Sequence, residues 1–534
     1  MQNVVLDTRI SDQRTMLDRK EISIKGARCC SFFPLRYMFA VVAFLGMFNL
    51  YALRVNLSVA IVAMVNHTSI AGKRNETISS QIGTVCPVPA GSQHKAVSNG
   101  EFNWDGPVQG LVLGSFFYGY IFTCFLGGWL AHKFGGKYIF GPSVLVGGIL
   151  TLLTPLAART HYGALIAVRA LQGLVNGVCF PAMQTLISSW SPATERTKLV
   201  GFVFSGMHIG MVLTLAVSGY LANFWGWASI FYLFGVSACI WFVLWIFFVY
   251  DTPFVHPYIS EDELQLITKD TRKKSNEKVP DFPWRSALTS LPFLAAAVAH
   301  FGGTWAFFTL LTNLPTYLNN MLHFDLEANG LLSALPYLTV ALCTQASSVI
   351  SDWLRQKGHL STTTVRKGSQ LLGLVVPSLC LIGVGFTCNS YIAMALLVVG
   401  VGLGGMAFAA VSANFIDLSP QYAGILLGIS QTPAMLPGIV APYVVGVITG
   451  GPNGQTMENW RTVFYITASI GIFAAIVYCI FGSGEVQSWG QRKASLIPDA
   501  VDFKSKPEGV AWVHRRPSRI SASNSEDRIS VKEI

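Results

Sequence analysis

Long apolar runs separated by short polar segments extend from about residue 38 to residue 482. A helix crosses the hydrocarbon core of a membrane with roughly 20 mostly apolar residues, and the runs have about this length. We predict twelve membrane helices, at 38–65, 107–131, 138–157, 163–189, 199–222, 228–250, 291–318, 328–350, 368–388, 391–415, 422–449 and 461–482. The short alternating segments of a membrane β-barrel are not seen in the sequence. The pattern therefore indicates an all-α polytopic membrane protein.

Two long polar stretches divide the twelve segments into two groups of six. One follows the first segment and the other separates the sixth from the seventh. We expect the following parts: a cytoplasmic tail at 1–37, a six-helix bundle at 38–250 with an exposed loop at 66–106, a cytoplasmic linker at 251–290, a second six-helix bundle at 291–482 and a disordered cytoplasmic tail at 483–534.

The two halves carry a related short sequence at equivalent places. "GGWLAHKFGGKY" (127–138) follows the second segment, and "SSVISDWLRQKG" (347–358) follows the eighth. Two six-helix halves related as parallel repeats form secondary transporters, with the substrate near the membrane midplane. We therefore treat these stretches as candidate gate loops, with His132, Lys133 and Lys137 in the first and Asp352 and Arg355 in the second.

Composition and charge agree with a membrane protein. Of the 534 residues 52% are hydrophobic and 12% are charged, whereas soluble proteins have about 25% charged residues. If both termini are cytoplasmic, the cytoplasmic segments hold 30 Lys and Arg residues and the opposite face holds 5, as the positive-inside rule requires. The net charge of +10 thus reflects topology, and a nucleic-acid partner is excluded because the basic residues lie in short loops and tails. The lipid bilayer is the expected surrounding.

Two arginines, Arg54 and Arg169, fall inside predicted helices, whereas the 27 Asp and Glu residues fall outside helix interiors. A charged side chain at this depth costs about 2.5 to 3.5 kcal/mol on insertion scales and usually faces a partner or a water-filled cavity. Both side chains could instead extend to the outer interface. Because two unpaired arginines occur in one half, we predict that they face a central cavity and bind an anion.

A polar stripe follows Arg169 along its helix. Gln172 and Asn176 lie three and seven residues further on, so all three share one face. Gln172 and Asn176 are candidates for substrate contact and equally for hydrogen bonds between helices. His300, followed by the glycine-rich "FGGTW" (301–305), is a candidate coupling residue, since discontinuous helices at transporter sites carry such glycines and a histidine titrates near neutral pH.

Several long blocks resemble one family. "YALRVNLSVAIVAMV" (51–65), "GSFFYGYIFTCFLGGWLA" (114–131), "VRALQGLVNGVCFPA" (168–182), "LSTTTVRK" (360–367) and "LSPQYAGILLGIS" (418–430) are similar to solute carrier family 17 of the major facilitator superfamily. The resemblance extends over about residues 30 to 490 and is strongest to sialin-like members. It implies a major facilitator fold, alternating access and organic anion substrates.

The resemblance also implies roles for particular residues. Arg54 and Arg169 match the substrate arginines of the first and fourth helices, and Tyr118, in the 114–131 block, is added as a candidate substrate contact. Gln172 and Asn176 occupy the positions of two glutamates that sialin-type members use in proton coupling. The sodium/phosphate branch has neutral residues at both positions, which leaves H⁺ or Na⁺ open as the coupling ion. No cofactor or metal is expected.

The vesicular glutamate type differs at two further positions. It has a histidine in the second helix and an arginine in the seventh, where this sequence has Leu113 and Gly303. The resemblance therefore argues against vesicular glutamate transport.

The favoured hypothesis is a secondary active transporter of small organic anions, such as sialate, acidic amino acids or urate, driven by an ion gradient or by the membrane potential. The alternative is a sodium-coupled inorganic phosphate cotransporter, and an anion channel is a hypothesis from a different class. An enzyme is not expected, because the helices carry no acid, nucleophile or metal constellation. We expect Arg169→Ala to abolish anion uptake and leave folding intact.

Sorting and modification signals lie mostly in the polar segments. Asn75 and Asn66 begin sequons in the loop on the predicted outer or lumenal face, which predicts N-glycosylation. Asp12 with Met16 and Leu17 forms an acidic dileucine-like pattern that sorting adaptors could bind. We expect an endolysosomal, vesicular or plasma membrane, and the sequence leaves the choice open. A bridge between Cys86 and Cys388 is a further hypothesis, since both lie on the outer face.

Overall fold

The computed structural model describes residues 34–66, 100–124, 126–192, 195–268, 282–358, 360–420, 422–450 and 454–490. Regular structure in these residues is helical, apart from one isolated bridge between Val65 and Phe102. The predicted sites Asn75, Asp12, Met16 and Leu17, and also Cys86, lie outside the described residues. Cys388 is disulfide-bonded.

Seventeen α-helices are numbered here in chain order over the described ranges. They are α1 Leu35–Met64, α2 Gly106–Cys124, α3 Leu126–Phe134, α4 Gly136–Thr160, α5 Tyr162–Asn176, α6 Cys179–Trp190, α7 Arg196–Trp225, α8 Ala228–Phe248, α9 Glu261–Thr268, α10 Trp284–Leu288, α11 Leu291–Asn320, α12 Leu326–Gln356, α13 Thr362–Val384, α14 Ser390–Leu418, α15 Ala423–Ala434, α16 Leu436–Thr449 and α17 Met457–Phe481.

Eleven stretches of the described chain are long and apolar enough to cross a membrane. Two of them join a pair of helices, α5 with α6 and α15 with α16. The remaining predicted segment, the second (107–131), is covered by α2 and α3, on either side of residue 125. Each predicted segment therefore corresponds to helix, with α9 and α10 inside the predicted linker.

The fourth predicted segment is interrupted where its sequence weakens the helix. Gly177 and Val178 form a turn between α5 and α6, four and three residues before Pro181. Proline has no N–H to donate to the carbonyl four residues earlier, so the break has a local cause. The expected interruption at 301–305 is not observed, since α11 runs unbroken from Leu291 to Asn320.

The ninth segment begins earlier than its apolar run. Ser361 accepts a hydrogen bond from Thr364 N through its side chain and starts α13 at Thr362, six residues before the predicted start. Arg366 therefore lies inside a helix rather than in a loop. Its Nε donates a 2.7 Å bond to Asp417 Oδ2 in the last turn of α14, which permits the charge to be buried.

Two glycine contacts bring the two halves together at one end of the bundle. This end lies opposite residues 34 and 490, the termini of the described chain. A Cβ on Gly106 of α2 would lie 2.2 Å from Gly450 Cα, just beyond α16. A Cβ on Gly219 of α7 would lie 2.8 Å from Gly330 Cα of α12. Real Cβ atoms do not approach so closely, so only glycine permits these backbones to touch.

At the end that carries the termini, the linker caps the first helix. Leu35 N and Arg36 N each donate a 3.0 Å hydrogen bond to the carboxylate of Glu263 in α9. These N–H groups have no partner within α1, and a carboxylate is favourable at a helix N-terminus. Arg36 also pairs with Glu195 at 2.9 Å, so α1, α9 and the α6–α7 connection are joined.

The candidate gate loops have unequal environments. In the first, Lys137 N donates a 3.0 Å bond to Asp251 Oδ1, and the loop turns at Gly135, whose φ of 92° suits glycine. Lys133 lies 5.3 Å from the ring of Phe134, and His132 belongs to α3.

In the second gate loop, Arg355 lies 3.7 Å from Asp352 and 4.0 Å from Asp417. The acid predicted to matter in this loop, Asp352, therefore makes only a distant contact on its own helix. Asp417 forms ion pairs with both Arg355 and Arg366. It therefore joins α12, α13 and α14 at this end.

Candidate functional site: a central cavity with one arginine

A cavity of about 600 Å³ lies between the two halves. It extends from Arg54 in α1 towards the end that carries the termini, where Ile416 of α14 and Gly424 of α15 line it. Its wall contains residues of α1, α2, α6 and α7 from the first half and of α11 to α15 and α17 from the second, with Met435 between α15 and α16. A cavity of this size between repeats is the usual position of a transporter's substrate site.

Arg54 is the only permanently charged side chain in this wall among the described residues. Its guanidinium lies 4.6 to 5.4 Å from the centres of five aromatic rings, which belong to Tyr51, Phe116, Phe117, Tyr120 and Phe308. Rings at this distance stabilise a cation through their π faces. They offer few hydrogen-bond acceptors, and Arg54 Nε and Nη2 have no hydrogen-bond partner. The side chain is thus held in place with donors left free for an anion.

Arg169 is placed differently from the prediction. It is 1% exposed, lies outside the wall of the large cavity and donates hydrogen bonds within its own half. Nη1 bonds Leu53 O at 3.0 Å and Gln172 Oε1 at 2.8 Å, and Nη2 bonds Arg54 O at 3.0 Å. Arg169 therefore fastens α5 to the backbone of α1 at the position of Arg54. Its predicted role as a substrate ligand remains a prediction.

The two arginines meet at a second, very small cavity. This space of about 20 Å³ is lined by Arg54, Arg169, Ser58 and Thr312, together with apolar neighbours. Arg169 Nε also has no hydrogen-bond partner. The two guanidinium groups are thus close neighbours, although only Arg54 lines the large cavity.

Gln172 and Asn176 continue the buried stripe towards α4. Gln172 Nε2 donates a 2.7 Å bond to Thr151 Oγ1 of α4, which is a hydrogen bond between helices. Asn176 is fully buried without a hydrogen-bond partner. A Cβ on Gly147 would lie 2.8 Å from its Oδ1 atom. Both amides therefore lie inside the first half, away from the wall of the large cavity.

His300 does line the cavity. It is 3% exposed, and its Nδ1 atom lies 2.9 Å from Ser430 Oγ of α15. It precedes Phe308 by eight residues on α11, which is about 12 Å along a helix. The cavity thus has a cationic region at Arg54 and an imidazole well separated from it.

The second helix contributes a tyrosine that sequence reasoning missed. Tyr120 is buried, lines the cavity and lies against Arg54. Tyr118, the predicted residue, is half-buried, and its hydroxyl lies 3.4 Å from Leu111 O on the same helix. Residues 118 and 120 lie on opposite sides of a helix. The helical period therefore shows that only one of the two tyrosines can face Arg54, but it does not show which one.

Comparisons with known proteins agree with this geometry. The family model described as Major Facilitator Superfamily matches residues 39–442. Among solved structures, a bacterial homologue of the human lysosomal transporter Spinster, in an inward-facing and occupied conformation, has a TM-score of 0.62 at 13% identity and covers 84% of this chain and 97% of its own. A D-xylose–proton symporter has a TM-score of 0.57 at 14% identity, with 84% and 100% covered. At these identities the structures show the fold alone.

Sequence relatives are more specific. Sialin from Homo sapiens is 43% identical over 86% of this chain and 91% of its own length. A putative inorganic phosphate cotransporter from Drosophila melanogaster is 36% identical, with 92% and 91% covered. Vesicular glutamate transporter 2 from Homo sapiens is 37% identical, with 86% and 76% covered. The chain therefore belongs to solute carrier family 17 of the major facilitator superfamily, a multi-pass membrane protein whose predicted fold class is confirmed.

Proposed function

We propose that this protein is a secondary active transporter that carries small organic anions across a membrane by alternating access. The single observation that carries the proposal is Arg54, a cation with two free buried donors at the end of a cavity between two helix bundles. No described carboxylate lines that cavity, so an anionic substrate is the group that would complete the site. Relatives described as sialin and as vesicular glutamate transporters support this substrate class.

The sodium-coupled phosphate cotransporter is retained as a second candidate. A relative described as a putative inorganic phosphate cotransporter matches nearly the whole chain, and residues 172 and 176 are both neutral amides. The coupling ion, H⁺ or Na⁺, remains part of the proposal. Membrane potential alone provides about 2.3 kcal/mol per charge per 100 mV.

The remaining assignments are also proposals. We infer cytoplasmic termini from the distribution of basic residues, and an endolysosomal or vesicular membrane from the relatives. Glycosylation at Asn66 or Asn75 and sorting through Asp12, Met16 and Leu17 follow from the sequence alone. Asn66 N donates a 2.8 Å bond to Phe102 O, beyond the end of α1 opposite the termini, where the predicted topology requires an accessible sequon.

Uptake into proteoliposomes tests the proposal. The purified chain is reconstituted and given labelled sialate, glutamate, urate or phosphate under imposed gradients of pH, Na⁺ or potential. We expect saturable uptake of an organic anion and counterflow, which a channel does not produce. Arg54→Lys keeps the charge without the planar fork and should retain part of the uptake that Arg54→Ala loses. Unchanged uptake by Arg54→Ala would overturn the proposed site, and uptake of phosphate alone would select the second candidate.

A further inference from the structure

The central cavity is larger and less polar than the Arg54 end alone requires. Its volume of about 600 Å³ falls within the range of sites that enclose drug-sized ligands, about 300 to 1,000 Å³. An inorganic phosphate or a short carboxylate bound at Arg54 would leave most of this volume unfilled. We therefore ask which uncharged part of a substrate the rest of the wall could contact.

Glycines from three helices widen the cavity on the side of the second half. Gly404 of α14 and Gly424 and Gly428 of α15 line it, and a Cβ at any of them would meet no atom within 4 Å. Gly303 of α11 also lines it, with Leu374 Cδ2 at 3.7 Å as the nearest atom to a Cβ. The space beside these four glycines, here called the glycine chamber, would shrink if any of them carried a side chain.

The side chains around the glycine chamber are mostly apolar. Phe180, Met207, Phe307, Phe408 and Leu427 contribute to the same cavity wall. Aromatic and methionine side chains provide broad contact surfaces for apolar ligands. This wall favours a ligand with a large apolar surface.

Three hydroxyl groups in the wall are already engaged. Thr304 Oγ1 donates a 2.9 Å bond to His300 O, Ser378 Oγ a 2.7 Å bond to Leu374 O, and Ser412 Oγ a 2.9 Å bond to Phe408 O. These hydroxyl protons are directed to the protein backbone. A ligand rich in hydroxyl groups would lose bonds to water and find these three donors occupied.

We propose that the glycine chamber is a second subsite, which binds the apolar, preferably aromatic, body of an amphiphilic monoanion whose charged group binds Arg54. This inference rests on the proposed function, because it assigns the anionic group of the substrate to Arg54. Gly404 and Gly428 determine the size of the body that the site accepts. Selectivity is then set by how much apolar surface is buried in the chamber.

Three monocarboxylates of increasing apolar size test the subsite, namely acetate, benzoate and 2-naphthoate, with glucuronate as a hydroxyl-rich counterpart. Binding is measured on the purified full chain by ligand-dependent thermal stabilisation, and transport by competition with tracer uptake in proteoliposomes. We expect affinity to rise from acetate to 2-naphthoate and to remain low for glucuronate.

Gly404→Leu and Gly428→Leu are expected to reduce the ratio of 2-naphthoate affinity to acetate affinity by about tenfold, which corresponds to about 1.4 kcal/mol. Gly404→Ala should have a smaller effect in the same direction. Gly201→Leu is the matched control, because Gly201 lies in α7, outside the cavity wall, and its Cβ would also meet nothing within 4 Å. Thermal melting without ligand verifies that each variant is folded.

The subsite and the proposed function fail in different ways. If glucuronate or acetate binds as tightly as 2-naphthoate, or if the leucine variants keep the wild-type ratio, the glycine chamber is not a subsite. This result leaves anion transport at Arg54 untouched. If 2-naphthoate binds with the expected pattern but no anion is taken up, the subsite holds and the transport function is wrong. If Arg54→Ala leaves 2-naphthoate binding unchanged, the two-part site is overturned.

Discussion

Arg169 Nη1 donates a 2.8 Å hydrogen bond to Gln172 Oε1, one turn further along the same helix. The remaining bonds of this pair cross to neighbouring helices. Arg169 donates to the carbonyl oxygens of Leu53 and Arg54, and Gln172 donates to Leu53 O, Gly147 O and Thr151 Oγ1. The pair thus ties α5 to α1 and α4. It determines where the backbone of Arg54 lies, and it supports the candidate anion site from behind.

The first prediction concerns Arg169→Ala. The sequence alone suggests a loss of uptake with intact folding, whereas the three hydrogen bonds of the guanidinium lead us to expect a loss of stability as well. Two of these bonds, to Leu53 O and Arg54 O, cross between helices. Hydrogen bonds between membrane helices contribute about 0.6 kcal/mol each on average, so the loss should amount to about 1 kcal/mol. Melting temperature in detergent and uptake in proteoliposomes measure the two effects.

Arg54→Ala is the matched control for this prediction. Its Nε and Nη2 atoms have no hydrogen-bond partner, so it should lose uptake with a much smaller fall in melting temperature. Equal destabilisation by the two variants would contradict the supporting role of Arg169.

The second prediction uses the unpartnered amide of Asn176. Asn176→Glu adds a titratable carboxyl group at a fully buried position where the wild-type side chain makes no hydrogen bond. Because its protonation would depend on pH and on the conformation of the bundle, we expect anion uptake to become more strongly pH-dependent. Initial rates between pH 5 and pH 8 measure this, with Asn176→Gln as the uncharged control of similar size. An identical pH profile for both variants would refute the expectation.

The membrane helices could be predicted well from the sequence because their apolar length reflects the thickness of the bilayer. The neighbours of each polar side chain could not. The spacing of Arg169, Gln172 and Asn176 correctly predicts one shared face, but spacing does not show whether that face meets a cavity or another helix. In the structure it meets α1 and α4.

Local chemistry explains the other differences. Arg366 lies two residues before the ninth predicted segment, yet the cap at Ser361 includes it in α13, where it pairs with Asp417. Its partner is 51 residues away in sequence, so only the folded chain reveals the pair. The charge of Arg54 predicts that it faces a cavity. The aromatic rings around it come from three helices, so only the folded chain shows that they surround it.

The third prediction concerns the contact between α2 and α16. A Cβ on Gly446 would lie 2.3 Å from Gly106 O, so Gly446→Leu should prevent the two halves from closing at the end opposite the termini. The variant should then populate conformations that open at that end. Cys124, a free cysteine in the cavity wall, reports this, because a membrane-impermeant maleimide should label it more from that side and less from the side of the termini.

Gly201→Leu is the control for this measurement, since a Cβ there meets no neighbouring atom. Mass spectrometry of the labelled peptide distinguishes Cys124 from the other cysteines. A folded Gly446→Leu protein with the wild-type labelling pattern would show that this glycine contact does not control closure.

The fourth prediction concerns acid stability at the end that carries the termini. Arg36 Nε donates a 2.9 Å hydrogen bond to Glu195 Oε2, and this bond holds the pKa of Glu195 below its usual value. Because the folded-state pKa is the lower one, the pair contributes stability above the unfolded pKa, about 4.3, and loses that contribution as pH falls through the folded value. Glu195→Gln should therefore lower the melting temperature at pH 7 and have little effect at pH 3.

The size of this effect should be small, since partly exposed ion pairs contribute up to about 1 kcal/mol. Glu101→Gln provides the comparison at the opposite end, where Arg159 likewise lowers the pKa of Glu101 through a side-chain hydrogen bond. The Arg159–Glu101 pair is about half exposed, at 51% and 48%, whereas Arg36 and Glu195 are 12% and 28% exposed. Solvent screening should thus make the Glu101 effect the smaller of the two. If Glu195→Gln shifted the melting temperature equally at pH 7 and pH 3, the carboxylate would not act through its charge, and the Arg36 contact would be explained by packing.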